Sequence, residues 1–429
     1  MGSRRTFLQG AAAATALGFG ARYSLAAPAT HDRRFVLVLL RGALDGLAAV
    51  PSYGDPHYAQ LRGSIAIAPP GAPRGALRLD NTFGLHPALT FLHESYIAKE
   101  LLVIHAAATP YRERSHFDGQ DVLETGLTVA HAAQSGWLNR ALAALPRDTA
   151  QKEVAVALGQ TVPLVLRGPS AVASWSPSTL PGIDDDTLQR IADRYARDPV
   201  LGHRLADALA TDAIAMAAMS DTGVAAGDSE DAANASGTVG HDSAAARGAR
   251  PGGRALAGVA AYRETVRAAA AFLRRPAGPS VAVFDTLGWD THFNEGGADG
   301  QLSARLSVLD SALRLFRQSM AESWSRTAVL LVTEFGRTAA VNGTRGTDHG
   351  TGAAAFLLGG AVQGGRMLAD WPGLSADALF QGRDLKATLD LRLVTKSVLH
   401  DHLRIDSRAL DDAVFPGTGN RYLSGLIRA

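Results

Sequence analysis

The sequence predicts an α/β sandwich with a largely parallel central sheet. Three observations predict it: short continuous apolar runs, helical patterns between several of them, and glycine-rich polar segments that follow or lie near their ends. Phe35-Val36-Leu37-Val38-Leu39-Leu40 is the first run and stops at Arg41-Gly42, which is how a strand buried on both faces reads. The others are Leu101–Ile104, Val154–Leu158, Val281–Phe284, Ala328–Val332 and Ala355–Leu358. Helices are expected over Pro87–Ala98, Ser303–Trp324 and Leu385–Leu403. In the second of these Leu306, Leu309, Leu313 and Phe316 recur at helical spacing and read as core packing. A helical excursion is expected over about 187–275, with stretches Thr187–Met219 and Leu256–Arg274 flanking a segment, Asp221–Gly253, almost without large apolar side chains. That composition reads as a disordered insertion.

Residues 1–26 read as an export signal. Ser3-Arg4-Arg5-Thr6-Phe7-Leu8 fits the twin-arginine pattern, a weakly apolar Ala/Gly stretch runs from Ala11 to Ala21, and Ser24-Leu25-Ala26 offers a small-residue cleavage end. The stretch is shorter and more glycine-rich than the ~20 apolar residues of a spanning helix, so no stable membrane anchor is expected after cleavage. The expectation is a single domain, 27–429, delivered to the periplasm or beyond by the twin-arginine export machinery, which carries already folded chains.

The 429 residues carry 42 Lys+Arg against 41 Asp+Glu and no Cys. A formal charge of +1 gives no long-range pull on phosphate backbones, so binding of nucleic acid by bulk charge is excluded. Absence of Cys excludes thiol nucleophiles, disulfide scaffolds and cysteine-ligated metals. Histidine and carboxylate chemistry remain.

Four segments next to glycine gather those residues near predicted strand ends, where open α/β sheets bind ligands. Arg41-Gly42-Ala43-Leu44-Asp45-Gly46 follows the first run, and Asp45 there is either a metal ligand or part of an Asp-Gly turn. In Arg114-Ser115-His116-Phe117-Asp118, Ser115 is placed to begin a helix, either as a nucleophile towards an anionic group held by Arg114 or as an N-cap alone. Asp290-Thr291-His292 puts a carboxylate and an imidazole two residues apart, on one side of an extended chain, where they grip one cation or form a hydrogen-bonded loop. Gly346-Thr347-Asp348-His349-Gly350 follows Thr333-Glu334-Phe335-Gly336-Arg337-Thr338 and offers adjacent oxygen and imidazole ligands, or else a structural turn.

Taken in order with Ser135-Gly136-Trp137-Leu138-Asn139-Arg140, these motifs resemble an exported bacterial family designated domain of unknown function fifteen-oh-one, over nearly the whole mature chain. That family is similar to the alkaline-phosphatase and sulfatase superfamily, three-layer α/β sandwiches holding one or two divalent metals above the sheet. The resemblance implies metal ligation by Asp45, Asp290, His292, Asp348 and His349, with His400 or His402 as downstream candidates for a last ligand. It implies Ser115 as nucleophile, with His116 as the alternative working residue. Arg114, Arg41 and Arg337 would hold the anion, with Glu334 beside it. The activity so implied is hydrolysis of a phosphate or sulfate ester, a small anionic ester or a sulfated or phosphorylated glycan, using Zn, Mn, Ca or Mg. The alternative is a non-catalytic exported protein using the site for glycan binding or surface assembly.

Overall fold

Strand β1 (Arg34–Arg41) feeds two separate cores: Val36, Val38 and Leu40 point into one, Phe35, Leu37 and Leu39 into the other. A run without polar alternation requires that, because both faces of the strand must be covered. The computed structural model that shows this describes residues 32–145, 154–177, 251–276 and 278–428, with isolated positions between 190 and 212. The expected signal segment and most of the 187–250 stretch lie outside the described residues.

Strands β2 (Leu77–Arg78) and β3 (Gly84–Leu85) form a small antiparallel pair. The remaining strands are β4 (Leu101–Ala108), β5 (Ala155–Leu158), β6 (Ala173–Trp175), β7 (Val281–Leu287), β8 (Thr327–Val332), β9 (Ala353–Leu358), β10 (Arg366–Leu368) and β11 (Leu389–Asp390). With β1 they make a nine-stranded sheet in the order β10-β4-β9-β8-β1-β7-β5-β6, β11 pairing with β4. Every pairing is parallel except those of β9, which runs against both β8 and β4. The expected mixed α/β architecture with a largely parallel sheet is thus present. All six apolar runs are strands.

Helices cover both faces. On one side α3 (Thr90–Ile97), α6 (Pro251–Arg274) and α7 (Gln301–Met320) supply Phe91, Phe272, Leu306, Leu309, Leu313 and Phe316 to the core. On the other α5 (Trp137–Ala143) and α8 (Leu391–Leu403) supply Trp137, Leu138, Val394, Val398 and Leu399. Two short helices, α1 (Gly46–Ala49) and α2 (Tyr58–Arg62), follow β1, and α4 (His116–Thr125) follows β4.

Several helix boundaries differ from expectation, among them that of α3, which begins at Thr90 rather than Pro87. Helix α6 begins at Pro251, so the last residues of the segment expected to be disordered are helical; proline is well suited to a first helical turn. Helix α8 begins at Leu391 rather than Leu385, because Leu389 and Asp390 pair with β4 and the Asp390 carboxylate accepts the Arg392 N–H as the cap. Helix α7 ends at Met320, where Ala321 takes a left-handed φ of 47°, and a tighter 3₁₀ stretch runs over Ala321–Arg326. Among the described residues no helix is long and apolar enough to cross a membrane.

Candidate metal centre

The carboxyl ends of the parallel strands deliver most of the site. Arg41 closes β1, His116 opens the helix after β4, Asp290 follows β7 and Glu334 follows β8. Because β9 is reversed, its leading residues reach the same edge, and that brings Asp348 and His349 there. Two glycines permit the crowding. Gly42 has φ 117° and a Cβ on it would lie 2.8 Å from the Asp290 nitrogen, while one on Gly346 would lie 2.4 Å from the His292 carbonyl. The loop carrying His349 is zipped to Gly336–Thr338 by backbone bonds from Thr338 to Asp348 (2.9 Å) and from Gly350 to Gly336 (2.8 Å).

At this edge the ligand atoms of His116, Asp290 and His349 all lie within 4.8 Å of one another, a spacing that suits a single cation. His116 Nε2 is 2.9 Å from His349 Nε2, and Asp290 lies 3.4 Å from the first and 3.1 Å from the second. His292 stands on the rim, its Nε2 2.9 Å from His349 Nε2 and 3.0 Å from Asp290 Oδ1. The buried Phe335 ring lies 5.0 Å from His116 and 5.3 Å from His349 and forms an apolar floor.

The outer nitrogens decide what the inner ones present. His116 Nδ1 lies 2.9 Å from Glu334 Oε1, and His349 Nδ1 lies 3.0 Å from the Arg114 carbonyl oxygen. Both partners only accept, so both Nδ1 atoms are assigned the proton, and neutral rings turn bare lone pairs inward. Two lone pairs 2.9 Å apart repel unless a proton or a cation lies between them. In a tetrahedral zinc site two imidazole nitrogens stand roughly 3.3 Å apart, close to this separation. His292 repeats the pattern, with Nδ1 3.4 Å from Asp348 Oδ1, itself held by Asn342 at 3.0 Å. Outer partners of this kind are what metal-binding histidines use to fix their tautomer. The donor set therefore fits a divalent cation.

Charge is tuned to match. Burial opposes the charged form of Asp290, but the hydrogen bond and charge of Arg337 outweigh it and hold the carboxyl below its ordinary range. Burial likewise opposes ionised Glu334, and its bonds from His116, from the Gly42 N–H (2.8 Å) and from Gln120 (3.2 Å) prevail. The Glu334 hydrogen bond in turn raises the His116 pKa against the effect of burial. Asp348 is lowered chiefly by Asn342.

The other residues singled out from the sequence stand as follows. Asp45 is fully buried and caps α1: Oδ1 accepts the Ala48 N–H at 3.0 Å and Oδ2 accepts from Arg62 at 2.6 Å. It faces Arg62 and Glu295 rather than the histidines. Ser115 is the residue before α4, but its hydroxyl makes no cap bond. Arg41 is engaged by Glu124 and Asp285, both at 2.7 Å. Arg337 is engaged by Asp290 and by both the hydroxyl and the carbonyl of Thr347. Arg114 is engaged by Asp384 at 2.8 Å and Gln381 at 2.6 Å. All three arginines expected to clamp an anion are thus bonded to groups of the chain itself. His402 is buried with its Nε2 2.9 Å from the Arg34 carbonyl, at the start of β1 and so at the opposite sheet edge; burial pushes its pKa down to about 4. His400 contacts Asp401 and Tyr422.

Sequence reasoning passed over Arg62, Glu295, Asn342 and Asp384. Arg62 and Asn342 sit in stretches without a recognisable motif, and Glu295 lies just beyond the Asp290–His292 segment. Nothing in their sequence neighbourhood pointed to them.

The model of the family described as protein of unknown function (DUF1501) matches residues 95–414, which span His116, Asp290 and His349. No curated protein matches the chain. With most of its length matched, the chain belongs to the DUF1501 family.

Proposed function

We propose that the protein is an exported, metal-dependent hydrolase of phosphate or sulfate esters, with the cation held by His116, Asp290 and His349 and flanked by His292. The observation that carries this reading is the pair of Nε2 atoms 2.9 Å apart, each in a ring whose outer nitrogen is bonded to an acceptor. A divalent cation at that point supplies Lewis acidity and charge to an anionic ester. The chain's own residues do the rest. Glu334 holds the His116 proton on Nδ1, the Arg114 carbonyl does the same for His349, and Arg337 keeps Asp290 ionised and aimed inward. Phe335 excludes water beneath the rings. Ser115, directly before His116 at a helix start, is the proposed nucleophile.

With the arginines engaged elsewhere, recognition of the anion falls to the cation rather than to a guanidinium clamp. The order of the motifs, similar to that of the alkaline-phosphatase and sulfatase superfamily, supports the reaction class, and Arg4-Arg5 supports twin-arginine export.

The test is elemental analysis of the folded protein with assays on aryl phosphate mono- and diesters and aryl sulfate, in added Zn²⁺, Mn²⁺, Ca²⁺ or Mg²⁺. One ion per chain, with turnover lost in both His116→Ala and Ser115→Ala, is expected. Turnover surviving in Ser115→Ala removes the serine from the scheme. Metal without turnover on any ester favours the non-catalytic glycan-binding reading, and a metal-free protein overturns both.

A further inference from the structure

We propose a second ligand site at the same sheet edge: the cavity between the ends of β4 and β11 takes a small oxyanion, a carboxylate or phosphoryl group, between Arg112 and Arg392. The cavity measures about 250 Å³, with Thr109 and Arg112 on one wall and Thr388, Asp390 and Arg392 on the other. Room on that scale exceeds the ~30 Å³ share of one water several-fold.

Charge balance is the first argument. Arg392 is 8% exposed and spends Nε and Nη2 on the Asp390 carboxylate at 3.1 and 2.7 Å. Asp390 also accepts the Arg392 N–H at 2.9 Å, so its single charge already serves one guanidinium and a helix start. Arg112 has no carboxylate partner among the described residues. Its Nη1 donates to the Thr109 and Tyr111 carbonyls, which compensate no charge. Two guanidiniums face one carboxylate, and the cavity carries a net positive charge. Burial depresses the Arg112 pKa, with only Asp390 opposing it, which is the cost of an uncompensated cation.

The second argument is an unfilled donor. Arg392 Nη1 is buried and has no partner among the described residues, a condition that costs free energy unless a ligand or water meets it. A small oxyanion answers both observations, since guanidinium forks bind carboxylate and phosphate with paired bonds. Neither arginine touches the histidine centre, so the inference stands or falls apart from the metal.

The experiment is thermal unfolding of the purified protein with inorganic phosphate and, separately, acetate, against chloride at matched ionic strength. It is run on wild type, Asp290→Asn, Arg112→Gln and Arg392→Gln. A saturable rise in Tm is expected in wild type and in Asp290→Asn, with apparent affinity roughly tenfold or more weaker in Arg112→Gln. Preference for phosphate or for acetate identifies which oxyanion the cavity takes. If Arg392→Gln fails to fold, Arg112→Gln, on a partly exposed loop, still decides. No saturable rise with either ion overturns the proposal. So does an unchanged rise in Arg112→Gln, including one lost in Asp290→Asn, which would put the anion at the histidine centre.

Discussion

Two charged clusters, joined through Arg337 and Thr347, have opposite characters. Asp45, Arg62 and Glu295 are sealed from solvent, and each carboxylate oxygen meets a donor: Ala48 and Arg62 for Asp45, Arg62, Thr291 and Thr347 for Glu295. Burial, then the neighbouring Asp45 charge, raises the Glu295 pKa, so one proton is retained and the group is neutral with Arg62 included. His116, Asp290 and His349 have side chains 25–38% exposed and aim acceptors at one another. In the first cluster every carboxylate oxygen meets a donor of the chain, although Arg62 Nε is buried without a partner among the described residues, whereas the inward lone pairs of the second are met only by a cation or a proton. Residue type does not separate a structural site from a binding one. Whether the acceptor atoms meet donors or face one another does.

Arg62→Met tests the closed side of that contrast and has the largest expected effect. It leaves two carboxyls buried with no cation, so unfolding free energy in denaturant titration falls by about 3–5 kcal/mol. A loss below about 1 kcal/mol would mean the triad is not sealed. His349→Ala tests the open side: metal affinity measured by competition with a chelator drops roughly a hundredfold or more, while the metal-free protein keeps its stability to within about 1 kcal/mol. A large loss of stability without metal would make the two clusters alike.

How much of this was legible follows from what each signal encodes. Continuous apolar runs marked the strands because both faces of the sheet are buried, but such a run carries no direction, and the reversal of β9 could not be read from Ala355–Leu358. The motifs around His116, Asp290 and His349 were visible and do converge. Asp45 likewise stood beside glycine after a predicted strand and belongs to the sealed triad, because its partner Arg62 lies in a short helix that announces nothing. Ser135–Arg140 helped carry the family resemblance, yet it serves packing. Trp137 donates to the Leu123 carbonyl, and Arg140 gathers the carbonyls of Thr125, Ser135, Ala413 and Val414.

Smaller effects sharpen the comparison. Glu334→Gln removes the charge behind His116 and is expected to weaken metal binding about 10–100-fold without abolishing it. It also carries a pH signature. The folded His116 pKa is raised, so in the metal-free protein its contribution to stability is full below the ordinary histidine value and is lost as pH rises through the folded value. Metal must displace that proton, so affinity climbs with pH over the same window, and Glu334→Gln should flatten both profiles. Glu295→Gln has the smallest effect. Because Glu295 already keeps its proton, the amide is expected to cost less than about 1 kcal/mol, whereas a loss of several would show that the proton sits elsewhere.

The position of β1 also bears on how the chain is made. Phe35 pairs with Val281 on one side and Ala328 on the other, so the first of the described strands is central and must wait for two made more than 240 residues later. Pairings of such sequence separation form slowly and leave apolar surface open to aggregation meanwhile. The Phe35–Leu40 run therefore needs shelter for most of translation. The histidines meet only after β8 and β9 have joined, so the centre cannot form until most of the chain has been made, and any truncation ahead of Thr327 strands the sheet's middle with an open flank.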